Sequence, residues 1–588
     1  MTKVASGYKH MLCAYTSTIL LFLFCTLSAI YSNAQGAWTP LVNIAPDENA
    51  GVMILLTDGT VLTKTVTGPD NIGNVWNKLT PDTHGSYVNG TWTTIAPMYD
   101  TRLYFSSQVL KDGRLYVAGG EYGTGAANGE VYDPLTDAWT PTSPLLFGDS
   151  IFDGNSEILP DGKVLQGIVY SGGYSNQVYD PFTNTYSPGA DCLASHDEAS
   201  WVKLKDSSIL FVDFDATSSE RYIPSTNSWV ADASLPVALY DDFIRETGPG
   251  FLLPDGRAFF IGATGHTAYY TPSGNTSPGT WVAGPDVPDS KGAPDAAGAM
   301  MVNGKILCAV SDTSTDTAYF RSPMSFYVFD YLANSFTHIL APTGDDTLTG
   351  PCYYSNMLNL PDGSILFCSQ GSFQYYTYKP TGSPLAVGKP IIDSVIKLNC
   401  DTFKITGKLF NGISEGSCYG DDWQMATNYP LVRLTLGTNV YYARTWNWNR
   451  TGVMTVAAKD TAFFALPAAI PTGTYSLELV VNGNPSAPHT FKTCGVGVEE
   501  TFAGFLTGIN VYPNPANDLA TVTFGSRLGG NYSIKVTDLL GRVIMQGSAV
   551  ANNGKNSYLI HTDDLSKGVY TITVQQEVGS AKTKLVID

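Results

Sequence analysis

The chain has 588 residues, too many for one ordinary hydrophobic core, so several domains are expected. Charged residues make up only 14% and the formal net charge is −19, which argues against nucleic acid as a partner, because a phosphate backbone must be met by Lys and Arg. Glycine, proline and tyrosine are abundant, and this wealth of turn residues points to an all-β protein.

At the N-terminus, Lys3 and Lys9 precede an apolar run from Ile19 to Leu27, and Ser32 and Ala34 stand three and one residues before Gln35. That layout predicts a secretory signal peptide over 1–34, cut after Ala34. The run is well short of the roughly 20 residues that span a bilayer, and no later stretch is apolar enough. The mature chain is therefore expected to lack a transmembrane segment and to be secreted or held on the outer cell surface. Of the nine cysteines, Cys13 and Cys25 fall in the signal, which leaves an odd seven and no regular disulfide framework. Cys400 and Cys494 could pair in an oxidising compartment, with Cys418 an alternative partner for either, whereas Cys308 reads as a small core residue.

From residue 36 onward a strand–turn–strand signal recurs about every fifty residues. Its centres are Asp58-Gly59, Asp112-Gly113, Asp161-Gly162, Asp206-Ser207, Asp255-Gly256, Asn303-Gly304 and Asp362-Gly363. Alternating apolar residues flank each turn, and Asp-Gly between such runs is a strong hairpin signal because both residues tolerate positive φ. A second marker follows in most units, an aromatic and a proline or aspartate before another aromatic: Tyr132 to Trp139, Tyr179 to Tyr186, Tyr222 to Trp229, Tyr270 to Trp281, Phe329 to Phe336. Each unit reads as a four-stranded sheet with aromatics packed between neighbours, and seven of them suggest a seven-bladed β-propeller over 36–385. The pattern resembles the kelch repeat family.

After Gly388-Lys389-Pro390 the character changes, and short strands with turn signals predict a β-sandwich over 386–496. Its Gly420–Met425, Asn428–Thr435, Tyr442–Thr445 and Pro471–Ser476 segments resemble the immunoglobulin-like domain that follows the propeller in galactose-oxidase-like proteins. Trp423, Trp446 and Trp448 in this domain would stack on sugars if exposed, but their large apolar area favours an interdomain core. A linker over 497–508 and a last small β-sandwich over 509–588 complete the chain. That module carries Tyr512-Pro513-Asn514-Pro515, then Asp538-Leu539-Leu540-Gly541-Arg542, then Gly568-Val569-Tyr570. In this order at the C-terminus the motifs resemble the type A sorting domain of the type IX secretion system, which implies that secretion machinery as a partner and export across the outer membrane of a Bacteroidetes-type bacterium.

The pairing of kelch and immunoglobulin-like domains raises the question of a copper radical oxidase. Copper(II) needs nitrogen and oxygen ligands in a nearly square arrangement. Tyr104 in Arg102-Leu103-Tyr104-Phe105 matches the first tyrosine motif of that family, and Tyr353 matches the second, but Tyr354 replaces the histidine that should follow. The segment expected to bring the other histidine, Arg444–Asn449, has none, and no cysteine near Ala50 is present to cross-link a tyrosine. Copper is not expected.

The same position, eight residues before each turn centre, gives Ala50, Tyr104, Asp153, Glu198, Thr247, Asp295 and Tyr354, with Glu246 beside Thr247 and Tyr353 beside Tyr354. In a propeller these residues ring one mouth of the central channel and make a concave polar site. Carboxylates with backbone carbonyls suit calcium, and aromatics with acids suit a carbohydrate. The expectation is a binding protein for an extracellular glycan or protein, without a resident cofactor or catalytic residues. A polysaccharide-active enzyme using two of the acids is the alternative. His196 and His266 read as packing or loop residues, because no ligand spacing surrounds them. Asn-x-Thr at Asn89 and Asn449 carries little weight in a bacterial chain.

Overall fold

The computed structural model describes residues 36–169, 175–197, 200–419, 427–455, 458–468, 470–494, 506–526, 529–576 and 579–588. The expected signal peptide, Glu198, Trp423 and most of the expected linker lie outside them. The described residues are all-β, with helical geometry confined to short 3-10 segments such as Cys352–Tyr354. No helix among them is long and apolar enough to cross a membrane. The chain divides into two compact units. One holds the described residues up to Asp393 with Thr406–Ala462 and Tyr475–Phe491, and the other holds Ser394–Ile405, Phe463–Thr474 and Lys492–Asp588.

Up to Pro380 the first unit is a succession of antiparallel meanders, most of them four-stranded, an organisation consistent with a β-propeller, and its later segments join a separate eight-stranded sheet. The second meander is typical: Ser106–Val109, Leu115–Ala118, Gly129–Asp133 and Ala138–Pro141 pair in chain order. Its first hairpin turns at Asp112, whose carboxylate accepts the Arg114 amide at 3.0 Å while Gly113 takes φ 86°. Asp58, Asp161, Asp206, Asp255, Asn303 and Asp362 make the same bond in their own turns, at 2.9–3.0 Å. Ser207 stands at the left-handed position with φ 67° where the other turns use glycine. An L-residue there costs roughly 1–2 kcal/mol. The paired aromatics lie where the second marker predicts. Tyr132 faces Trp139, Tyr179 faces Tyr186 and Tyr222 faces Trp229 across third and fourth strands, and each tyrosine hydroxyl donates to Asp137, Asn184 or Asn227 at 2.8–2.9 Å.

Between sheets the packing is apolar: Val202, Leu210, Leu252, Phe260 and Tyr270 share one buried cluster. Each such side chain contributes about 1.5–3 kcal/mol by leaving water. First strands of neighbouring sheets lie side by side. Ser106–Val109, Ser156–Ile158, Trp201–Lys203 and Gly250–Leu252 adjoin in that order, as do Ala297–Met300, Ser355–Asn359 and Asn49–Leu55. Two additions come from far along the chain. Gly36–Pro40 supplies the fourth strand of the last sheet by pairing with Tyr376–Pro380. Ser417–Tyr419 pairs with the first strand Ala297–Met300, Tyr419 opposite Ala297 and Ser417 opposite Ala299, and so runs from the turn end toward the end that carries Asp295. It is this segment, and not Arg444–Asn449, that lies beside the first strands. Arg444–Asn447 lies at the other end, where Arg444 donates to the Asp112 carbonyl at 2.7 Å and the Thr445 amide to Thr57 at 3.3 Å.

In the second unit, Cys400 and Cys494 form a disulfide with their Cα atoms 5.5 Å apart, so of the two alternatives for Cys400 it is Cys494 that pairs. The C-terminal strands make two sheets. One has Leu506–Tyr512, Leu519–Ser526 and Gly554–His561; the other has Val543–Ala551, Gly530–Thr537, Gly568–Gln576 and Gly579–Ile587. Alternation places Val522, Phe524, Ile534, Val536, Ile572, Val574 and Leu585 in one core between them.

Candidate functional site

Three of the residues eight positions before the turns share a backbone feature that no periodicity reveals. Tyr104, Asp153 and Asp295 all have positive φ, at 51°, 39° and 48°. Aspartate tolerates this region, but for tyrosine it is uncommon, and such strain is held only where surrounding bonds over-determine it. Those bonds are present. The Tyr104 carbonyl accepts the Glu121 amide at 3.1 Å, and the Asp295 amide donates to the Thr247 carbonyl of the preceding repeat at 3.0 Å. Two residues further on, the Ser106 hydroxyl donates to the Gly154 carbonyl, and Ser200 repeats the bond to Gly248 at 2.8 Å. The Ser106, Ser200 and Asp295 contacts tie neighbouring repeats together at this end.

Several of the expected residues come together with two that the sequence reading missed. The Tyr104 ring meets Tyr122 edge-on at 6.0 Å. Tyr353 packs edge-on against both Tyr354 and Phe320, at 4.7 Å each. Burial above all pushes the Tyr353 phenol up, followed by its hydrogen bond to Tyr354 and by the nearby Tyr354, Asp295 and Tyr122. The phenol is therefore neutral at ordinary pH, a hydrogen-bonding group rather than an anion. Tyr122 contacts one tyrosine and acts on the other, which joins the Tyr104 and Tyr353–Tyr354 groups, with Asp295 at their edge. Tyr122 and Phe320 stay substantially exposed, so the cluster presents aromatic surface to solvent.

Asp153, Glu246 and Thr247 are buried at equivalent positions. The Glu246 carbonyl accepts the Asp241 amide at 3.1 Å, and the Asp241 carboxylate faces the Ser314 hydroxyl at 3.5 Å. Ala50 is buried and offers no polar group. Tyr122 had a signal of its own, an aromatic among glycines in Gly119-Gly120-Glu121-Tyr122-Gly123. Phe320 lies in the long connection between Ile306–Asp312 and Ser325–Asp330, where length alone pointed to a special role.

His196 is a packing residue. It stacks on Phe211 at 3.6 Å, accepts from the Trp201 indole at Nδ1 and meets Glu220 through Nε2 at 3.0 Å, and burial pushes its pKa down. His266 is half-exposed and pairs with Asp286 at 2.8 Å. Among the described residues, no group of three or more His, Cys, Asp or Glu is arranged to hold a metal ion. Trp448 is buried and stacked on Tyr429, whereas Trp446 is half-buried under the Arg444 guanidinium.

The C-terminal motifs have structural work in their own sheets. Asn514, between Pro513 and Pro515, accepts from the Val586 amide and donates to the Lys584 carbonyl, both at 2.8 Å, which pins the motif to the last strand. Asp538 accepts from the Leu540 and Arg542 amides and the Arg542 guanidinium, and Gly541 supplies φ 80° for this tight turn. Tyr570, two residues past Gly568, is buried with its hydroxyl on the Ser566 carbonyl at 2.8 Å, while Tyr512 is exposed at a strand end.

Comparison with known proteins agrees with both halves of this picture. Residues 510–588 match the model of the secretion system C-terminal sorting domain, and residues 109–146 match the kelch motif. The chain thus carries a kelch motif and a type IX sorting domain, and the latter indicates export by the type IX system to the cell surface or the extracellular space. No curated protein matches the chain. Among solved structures it is similar to a novel fungal alcohol oxidase with catalytic diversity among the AA5 family, in complex with copper. The two are 17% identical, the match covers 78% of this chain and 100% of that one, and the TM-score is 0.48.

Proposed function

We propose that this chain is an exported carbohydrate-binding protein, built on a seven-bladed kelch-type propeller that Gly36–Pro40 closes. In this reading the propeller spans 36–385 and an immunoglobulin-like domain 386–496. A signal peptide precedes them, and a linker and the sorting domain follow. The mouth at Tyr104, Asp153, Glu198, Glu246, Asp295, Tyr353 and Tyr354 is the binding site, with Tyr122 and Phe320 added to it.

One observation carries the proposal: the neutral Tyr353 phenol and exposed aromatic rings converge beside Asp295 at one end of the first strands. Aromatic faces cover the apolar face of a sugar ring, and a carboxylate accepts its hydroxyls; a hydrogen-bonded phenol adds a second polar anchor. The residues do not suit the copper centre of the oxidases that the sequence resembles, since tyrosine stands at the histidine position and the acids present are hard oxygen donors. A hard cation such as calcium fits those acids better, as an auxiliary to binding rather than a catalyst.

Glycan-array binding with and without calcium tests the proposal. The chain should bind a subset of glycans, and Tyr353→Ala should weaken that binding about tenfold or more, a loss on the order of 1.4 kcal/mol. Glu198→Gln and Asp295→Asn should weaken it as well. Array signals that survive all three substitutions unchanged would remove the mouth as the site.

A further inference from the structure

At the opposite end of the first unit, a cavity of about 220 Å³ opens between the Asp112 and Asp161 turns and the Asn447–Asn449 segment. Its walls include Lys111, Pro181, Phe182, Asn447 and Trp448. The volume is below that of a drug-sized pocket and suits a single ring. Phe182 is 78% exposed although it stands on a tight turn, where its amide is fixed by Asp180 at 2.9 Å. Asn447 holds the adjoining segment in place with φ 50° and its amide on the Lys111 carbonyl.

Four basic side chains at this end take a carboxylate: Arg114 pairs with Asp112, Lys163 with Asp180, Arg257 with Asp255 and Lys305 with Asp330. Lys111 and Arg444 do not. Among the described residues neither has a carboxylate within ion-pairing distance, even though acids outnumber Lys and Arg 52 to 33. Arg444 holds the Asp112 carbonyl through one nitrogen, and its buried Nε has no partner. Both side chains are partly withdrawn from water, which lowers their pKa values. Asp161 acts on Lys111, and Asp133, Asp112 and Asp58 on Arg444, only from beyond ion-pairing distance, so an anion in direct contact would offset more of the lost hydration.

We infer that this cavity binds an acidic sugar residue, a hexuronate, whose carboxylate meets Lys111 and whose ring packs on Phe182. The aromatic wall selects a ring face, and the ammonium selects the charge. This site is separate from the mouth and does not depend on the proposal made for it.

The test is equilibrium binding of a labelled glucuronate-containing trisaccharide and of its methyl ester to the full-length exported protein. The acid should bind, and esterification or Lys111→Met should each weaken binding about tenfold, as expected for one charged hydrogen bond. Phe182→Ala, at an exposed position that leaves folding intact, should weaken acid and ester alike. Tyr353→Ala at the mouth should leave the acid's affinity unchanged. Failure of the acid to bind, equal affinity for acid and ester, or a loss seen with Tyr353→Ala and not with Lys111→Met or Phe182→Ala would overturn the inference.

Discussion

Lys203 reaches Glu157 at 2.7 Å in the interior of the first unit, and Glu415 is buried in the same neighbourhood with its amide on the Leu252 carbonyl at 3.0 Å. Two carboxylates thus share one ammonium. Burial first, and then the charge of Glu157, push the Glu415 carboxyl up to about 8, against the pull of Lys203. An unfolded chain loses this proton near 4.5, so between about pH 4.5 and pH 8 the fold holds a proton that the unfolded state has released. Stability therefore falls as pH rises through that window and levels off above it. Glu415→Gln keeps the shape and abolishes the titration. Its urea midpoint should match the parent below pH 4.5 and exceed it at pH 8 by the equivalent of about 1–3 kcal/mol. Parallel profiles for the two proteins would show that Glu415 is ionised in the fold. Nothing in Ser414-Glu415-Gly416 marks this residue, because its burial comes from strands more than a hundred positions away. The places of Tyr104 and Tyr354 in the chain were legible by contrast, since each is fixed by its count from a turn that local chemistry dictates.

Hairpins were legible for the same reason. An Asp whose carboxylate caps the amide two residues on, followed by a left-handed residue, closes its turn without help from the rest of the chain. The pairings that escaped sequence reading are those whose partner is remote: Gly36–Pro40 with Tyr376–Pro380, and Ser417–Tyr419 with Ala297–Met300. Five residues of Gly-Ala-Trp-Thr-Pro look like any edge segment until the sheet that lacks a fourth strand is known. The first of these pairings has a testable energy. Trp38 meets Phe326, Phe367 and Tyr378 at 4.8–5.6 Å, and its indole donates to the Leu340 carbonyl at 2.9 Å, so one side chain binds this strand to two sheets. Being only half-buried, it should cost less than the roughly 3–5 kcal/mol of a fully buried Trp→Ala change. Trp38→Ala should lower stability by about 2 kcal/mol, read from the urea midpoint at constant slope, whereas exposed Thr39→Ala in the same strand should cost under about 0.5 kcal/mol. Equal small losses at both positions would mean that the strand pairs without anchoring the fold.

At the scale of the molecule, the sorting domain is a physical as well as a sequence module. Its core is drawn wholly from Leu506–Ile587, and the Asn514 and Asp538 networks close within it. A domain that buries its own apolar faces can be removed without exposing another core, so export and binding should separate cleanly. In a host with a type IX system, deletion of 510–588 should leave a folded protein inside the cell envelope, while the full chain reaches the surface or the medium. The truncated protein, purified from that compartment, should bind glycans with the affinity of the exported form. Asp538→Ala gives the finer reading, because it removes three hydrogen bonds from one turn without shortening the chain. If that turn contributes to recognition by way of its shape, export should fall while the first unit's urea midpoint stays unchanged. Secretion of the 510–588 deletion at the level of the full chain would show that the route is encoded elsewhere, and a loss of glycan binding on deletion would show that the module belongs to the site as well as to the journey.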